Sequence, residues 1–505
     1  MESVAIANFS KGMNNHVEPG KILPEMARLI KNARITTGAL VPIKQPLLGN
    51  EQSNPEDLNH FGWINRSTVK WFDNYYWSIN DADEEPYYGG NKYGLGIEPP
   101  TVTFLVTNSG QIFEPLEGLY KYCVTYVNAD GWESAPQEYQ DGLRYKTIYL
   151  NQELPNILVS KPVEDWVDKV NVYRTVGNGA NFYRIRSFTV DELGQNFSDS
   201  TKDDLLLFNP ALETYAMDLP PANGKFLTER DGYFYLAVGD KLYSSKNSNP
   251  HYWNSLNWIG FDSEITGITR EYQGLLVFTS NRIWRVGGGD ITNSYKQEIP
   301  VSQGCINYQT ISAINNAPIW VSNDGICVWN GQNVDIITLN RLDFDTQATR
   351  FAVSANDRYH LFLTDGTCIV ADMRSGNIFY KRDLDYEYGW YDADLDILYL
   401  CDVDPYMLYI DEAGSNDVLT YQSAVVPGDE LILREYFRAL IDGDGFTNIT
   451  LYNEKDVGLA TLAAHLSGRT EVLFPSGLQI RGLSIKLESS STIRSIIIFY
   501  KDIGA

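Results

Sequence analysis

Hydrophobic and polar positions repeat one theme through the second half of this 505-residue chain. An aromatic and aliphatic run meets a short polar turn, and a second apolar run follows. The stretches read GYFYLAVGDKLYSS from Gly232, GLLVFTSNRIWRV from Gly274, APIWVSNDGICVWNG from Ala317, RYHLFLTDGTCIVAD from Arg358 and ILYLCDVDPYMLYID from Ile397. Each predicts a β-hairpin. The turns centre on Asp240, Asn281, Asp324, Asp365 and Asp404, so successive spacings are 41, 43, 41 and 39 residues. A hairpin period of about 40–45 residues predicts a β-propeller with one blade per repeat. A lone hairpin cannot bury both faces, whereas stacked blades bury each other's.

The rest of the chain divides around these repeats. Residues 1–50 read as an N-terminal tether. In it, Ile22–Arg34 predicts a helix, with Pro24 in the first turn and Ile22, Met26, Leu29 and Ile30 on one face. A short hairpin then turns at Thr37-Gly38. Residues 51–100 form a first propeller segment: Val69–Asp81 has the aromatic content of a blade strand, and an acidic loop follows it. Residues 101–212 predict an inserted Tyr-rich β-sandwich, with hairpins turning at Asp130-Gly131 and through Gly177–Ala180. The propeller repeats fill 213–428. Residues 429–505 predict a C-terminal β-sandwich with turns at Asp442–Gly445 and Ser489–Ser491. The fold class expected is therefore all-β, with five or six blades, the sixth from Val69–Asp81. Strands from both ends of the chain would close the ring and remove a free sheet edge.

Composition narrows the partners. Lys+Arg number 40 against 65 Asp+Glu, a formal charge of −25. Such a surface repels nucleic acid, because duplex binding needs cations that displace counterions. It disfavours an anionic membrane equally, and no membrane insertion is expected: no apolar stretch approaches 18 residues. Met1–Gly12 lacks the apolar core of a signal peptide. The cysteines (Cys123, Cys305, Cys327, Cys368 and Cys401) are odd in number, contain no CxxC and sit in or beside apolar runs. Buried free thiols made in a reducing cytoplasm are expected.

Two sets of residues carry a family resemblance. Tyr120, Tyr122, Thr125, Tyr126, Gly131, Glu133, Ser134, Ala135 and Pro136, with Val172-Tyr173-Arg174-Thr175, resemble the fibronectin-III-like insert of phage virion proteins. Glu229–Ser245, Ile265–Val286 and Ile319–Thr338, with the opening Phe9–Leu40, resemble the tail hub, or nozzle, proteins of short-tailed (podovirus-type) bacteriophages. The resemblance is spread over most of the chain, and no single position is diagnostic. It implies a homohexameric ring beyond the portal and its adaptor, part of the virion tail and assembled in the host cytoplasm. Such a ring extends the DNA channel, meets tail fibres or spikes, retains the genome and releases it at infection. The acidic charge suits a conduit that double-stranded DNA passes through without being held.

The histidines His16, His60, His251, His360 and His465 lie at least 44 residues apart and form no ligand motif. Asp392–Asp396 and Asp442–Gly445 hold enough carboxylates for calcium but lack the EF-hand pattern, and read as turns. Gly177–Phe182 and Gly287–Asp290 also read as turns, since neither precedes a helix with phosphate-loop residues. Ser322–Trp329 resembles the Asp-box of sialidases with broken spacing, and that motif is structural even there. No catalytic residue, cofactor or metal is nominated, and no enzyme is expected. The alternative is a receptor- or glycan-binding propeller of the tail, less readily a glycan-hydrolysing one, which needs two placed carboxylates. Trp63, Trp71, Trp77, Trp253 and Trp258 would serve glycan binding, against an ordinary role in blade cores or subunit contacts. Asp81, Asp83, Glu84 and Glu85 are the candidates for a channel wall or subunit contact, against a solvated outer loop. Like charges so close cannot pack inside without partners.

Overall fold

The structure is a computed structural model. It describes residues 2–6, 9–16, 26–36, 39–45, 47–51, 66–71, 74–80, 87–88, 93–374, 376–393, 395–402, 407–412, 415, 417–426 and 432–504. The protein is nearly all-β, 60% strand and 4% helix, in several sheets, none closed on itself among the described residues. It divides into two compact units: Met1–Asn65, Ser263–Gly287 and Tyr295–Ala505 in one, Arg66–Asp262 and Gly288–Ser294 in the other.

The second unit holds three sheets. Val69–Asp81, expected as one strand, lies on two, Arg66–Trp71 and Asn74–Ile79, which pair antiparallel and continue to Tyr87–Tyr88 and Tyr93–Gly94. Lys225–Arg230, Tyr233–Val238, Lys241–Lys246 and Asn249–Gly260 form a second antiparallel meander. Tyr76, Leu95, Leu227, Phe234, Leu236 and Trp253 share one buried core between these two sheets. Polar side chains fix their approach: Phe226 donates its N–H to Asn80 Oδ1 at 2.7 Å, and Leu227 to Ser78 Oγ at 3.0 Å. The third sheet has five strands, in the order Phe182–Thr189, Val167–Thr175, Phe104–Asn128, Lys146–Val159 and Asn196–Ser198. Its 25-residue strand pairs with Lys146–Val159 through two register breaks, between Asn108 and Ile112 and between Ile112 and Glu117. Such bulges bend a sheet and raise its twist.

The first unit carries the remaining hairpin repeats. Four-stranded antiparallel meanders follow in chain order: Ile265–Glu271 to Tyr295–Ile299 and Ser312–Ile314 to Val334–Ile336, each a separate sheet, then Thr349–Ala355 to Ile378–Asp383, which is part of a larger one. The last such sheet has Tyr388–Asp392, Ile397–Cys401 and Met407–Ile410, and its fourth strand is Leu47–Glu51 from near the chain start. In each of the five repeats the two apolar runs pair as antiparallel strands. Asp240, Asn281, Asp324 and Asp365 lie in the connections, while Asp404 is outside the described residues. The second strands Gly274–Thr279 and Arg358–Leu363 are buried at every position, whereas the last strand Tyr295–Ile299 is exposed at four of five. A strand covered on both faces reads as a continuous apolar run, and this is why the pattern was visible.

The helix over Ile22–Arg34 does not form where it is described. Ala27–Lys31 is a strand pairing antiparallel with Leu419–Ser423 and touching Ile378–Asp383 in parallel register through Lys31 and Lys381. Ala33–Thr36 then pairs with Ala39–Pro42 as the expected hairpin, with Thr37-Gly38 outside the described residues. Asp442–Gly445 is likewise not a turn but lies within the strand Leu433–Asn453. There the strand changes partner on one side, from Ile493–Gly504 to Leu483–Ser489, while Gly458–Ile480 runs along its other side throughout. Gly445 has φ of +73°, and a Cβ on it would lie 2.3 Å from Ser491 Oγ. These glycines admit the Ser490–Thr492 connection rather than reversing the chain. Strands from both chain ends thereby join the Thr349–Asp383 meander in one 13-stranded sheet.

Candidate functional site

The densest polar chemistry of the first unit gathers where the N-terminal hairpin meets the Thr349–Asp383 meander. Three consecutive strands supply it: Arg358 and His360, then Asp372, then Tyr380 and Arg382. Arg382 forms a bidentate pair with Asp411 at 2.6 and 2.7 Å, and also donates to the Lys44 carbonyl at 3.3 Å. Arg358 pairs with Asp372 at 3.1 Å and approaches Glu412 at 3.8 Å. Arg374 also binds Asp372, and Arg34 binds Glu412 at 2.9 Å.

Each charge in this cluster is set by its neighbours. Burial pushes the Asp411 carboxyl up, but the charge and hydrogen bonds of Arg382 outweigh it, leaving the group below its ordinary range. Asp372 is likewise pushed up by burial and pulled below its ordinary range by Arg374 and Arg358. Burial holds His360 down to about 3, so its ring is neutral. The two carboxylates are held ionised and the imidazole uncharged. The arrangement is an electrostatic clamp tying Arg34 and Lys44 to the meander and to Asp411-Glu412. In front of it opens a cavity of about 450 Å³ lined by Arg34, Lys44, Glu412, Asp444 and Ser490–Thr492. A second cavity of about 470 Å³ is lined by Gln45, Asp383, Asp385, Tyr386, Asp402 and Asp417. Lys31 pairs with Asp383 and Arg350 with Asp385.

In the second unit Tyr120, Tyr122, Thr125, Glu133, Tyr173 and Arg174 take part in two hydrogen-bonded centres. Arg174, fully buried, pairs with Asp199 and Asp203 at 2.8 Å each and donates to the Thr201 carbonyl at 2.9 Å. Tyr122 donates to Asp199 at 3.1 Å and Tyr120 to Asp203 at 3.2 Å, with the guanidinium 5.1 Å from the Tyr120 ring centre. Glu133 accepts from Thr125, from Asn171 at 2.8 Å and from Tyr173 at 2.8 Å. Ser134 Oγ accepts the Tyr126 N–H at 2.9 Å. Buried tyrosine hydroxyls need partners, and here Asp203, Asp199 and Glu133 supply them.

Asp81, Asp83, Glu84 and Glu85 lie outside the described residues, as does Trp63. The strands of Trp71 and Trp77 are described, but their side chains fall outside. Trp253 is buried, with its indole N–H donated to the Pro250 carbonyl at 2.7 Å, and so belongs to a sheet core. Trp258 is exposed beneath the Lys241 ammonium, 4.3 Å from its ring. Asp442 and Asp444 both pair with Arg494, which occupies the carboxylates a cation would need. Asp392 accepts the Leu395 N–H and Asp396 the Tyr391 hydroxyl, so both order their own loop. Asp324 sits in the Ser322–Gly325 turn and accepts from Gln303 at 3.0 Å. Among the described residues no group of three or more His, Cys, Asp or Glu could hold a metal. The five cysteines are free and buried. Sequence reading missed both arginine-centred clusters. Their signal was an arginine following a run of apolar and aromatic residues in a strand, as in IFYKRD and VNVYRT.

No family model matches this chain, and no curated protein does. Solved structures similar to it include the computationally designed Ika8 protein, at 12% identity and a TM-score of 0.30, covering 68% of this chain and 94% of that one. Hsv2 of Kluyveromyces lactis is similar at 11% identity and a TM-score of 0.28, covering 64% and 96%. The Mitotic Checkpoint Complex contributes a chain at 12% identity and a TM-score of 0.27, covering 68% and 98%. At TM-scores this low, none of these likenesses bears on what the protein does.

Proposed function

We propose that this chain is a structural protein of a phage tail, a hub or nozzle that extends the portal–adaptor channel, retains the packaged genome and lets it pass into the host. The observation that carries the reading is the set of six four-stranded meanders, the last completed by Leu47–Glu51 from near the chain start. In this reading the six are blades of one β-propeller, and the borrowed strand is its closure, which spares the last sheet a free edge. The five-stranded sheet within 101–212 is the fibronectin-III-like insert, and the strands of 429–505 form the terminal module. The chain acts as a homohexamer, through contacts and charge rather than through bond chemistry. At −25 per copy, six copies line a passage that gives DNA phosphates little to hold.

The test mixes the purified protein with the portal–adaptor complex of its own phage. The reading expects a ring added to the adaptor with six-fold symmetry, and no retention of duplex DNA in a low-salt gel-shift assay. A protein that ignores the adaptor and instead binds host polysaccharide would replace the reading with the glycan-binding one.

A further inference from the structure

The strand Gly458–Ile480 is 23 residues long and pairs only with Leu433–Asn453; its other edge is open among the described residues. Pro475 offers no N–H, so Gly458–Phe474 is the continuous open run, about 55 Å at 3.3 Å per residue. Long open edges are templates for another strand, and folds usually blunt them with lysine, proline, bulges or short length. This run has no lysine, and its only charges are Arg469 and Glu471, of opposite sign. At the chain average of 21% charged residues, a 17-residue run would hold about four.

The row facing the core is aliphatic yet incompletely covered. Ala460, Leu462, Ala464 and Leu478 pack on the main core while remaining partly exposed. On the opposite face Leu473 is 68% exposed, and Phe446, from the neighbouring strand, is 74% exposed with its ring edge-on to His465 at 4.7 Å. A further strand along this edge would finish the cover over the core-facing row.

We propose that the occupant is a second copy of this chain, pairing a strand against Gly458–Phe474. The ring-forming reading requires contact between copies, and charge bears on where it lies: every copy carries −25, so a long contact is least opposed along a run whose own charges cancel. The proposal rests on the ring-forming reading above and names the edge that makes the contact.

Sedimentation velocity on the full chain, alone and with the portal–adaptor complex, tests it beside an Ala460→Lys/Ala464→Lys variant. Lysines there extend past an open edge, as in natural edge strands, but would be buried by a covering strand. The expected result is assembly of the natural chain and a monomeric variant with an unchanged far-UV spectrum. Hydrogen exchange provides a second readout that needs no variant: amides within 458–474 should gain protection on assembly and lose it on dilution. A variant that assembles like the natural chain, or no gain in protection, overturns the edge while leaving the ring reading in place. A natural chain that stays monomeric in both settings overturns both.

Discussion

Arg382 and Asp411 meet through two parallel hydrogen bonds of 2.6 and 2.7 Å, with side chains only 3% and 5% exposed. A guanidinium opposing a carboxylate in this fork is the strongest common ion-pair geometry. Breaking a buried pair strands a charge, which costs about 3–5 kcal/mol. Arg382→Ala should lose about that much stability in urea titration, whereas an Arg382→Met/Asp411→Leu double variant should lose much less. Equal losses would mean that the pair is not the clamp described.

The buried histidines set an acid limit. Burial holds His251 and His360 down to about 3 in the fold, against ordinary values of 6.5. Between those values the unfolded chain binds protons that the folded chain refuses, so stability is full above about pH 6.5 and falls as pH drops toward 3. Asp372 and Asp411, also depressed, add a further loss below the ordinary carboxylate value of 3.8. Urea midpoints at pH 7.5 and pH 5 should differ clearly for the natural chain. They should differ less for His251→Gln/His360→Gln.

Two glycines separate backbone strain from steric contact. Gly445 and Gly468 have nearly equal φ, +73° and +72°, but a Cβ meets Ser491 Oγ at 2.3 Å in the first and nothing within 4 Å in the second. Gly468→Ala should cost about 1 kcal/mol for the left-handed backbone alone. Gly445→Ala should cost more, and Ser491→Gly in the same chain should recover part of the difference. Thermal melts of the three variants check the order.

All five thiols are free and buried, and burial raises Cys305 and Cys327 to about 12. A thiol-reactive dye should therefore label almost none in the native protein and all five after denaturation. Rapid labelling of any of them in the native state would contradict this packing.

The hairpins were legible because their second strands are covered on both faces, so GLLVFT and, apart from Arg358 and His360, RYHLFL read as apolar runs followed by Asn or Asp turns. The strand at Ala27–Lys31 was not. Met26, Leu29 and Ile30 fit a helical spacing, and what makes the segment extended is a partner at Thr420–Ser423, nearly 400 residues away. Local periodicity carries no record of such pairing. The same holds for Leu47–Glu51 against Met407–Ile410. Asp442–Gly445 has the composition of a turn, yet its glycines serve close approach by another segment. Buried arginines such as Arg174 and Arg382 sit in plain view in apolar runs, but their partners are set by tertiary contact alone.

The central claim is a ring-forming tail protein, and the mass of the purified chain in solution tests it most directly. The account predicts a species of six chains, alone or once the portal–adaptor complex is added, with six-fold symmetry in negative-stain averages. A stable monomer or trimer indifferent to the adaptor would contradict it.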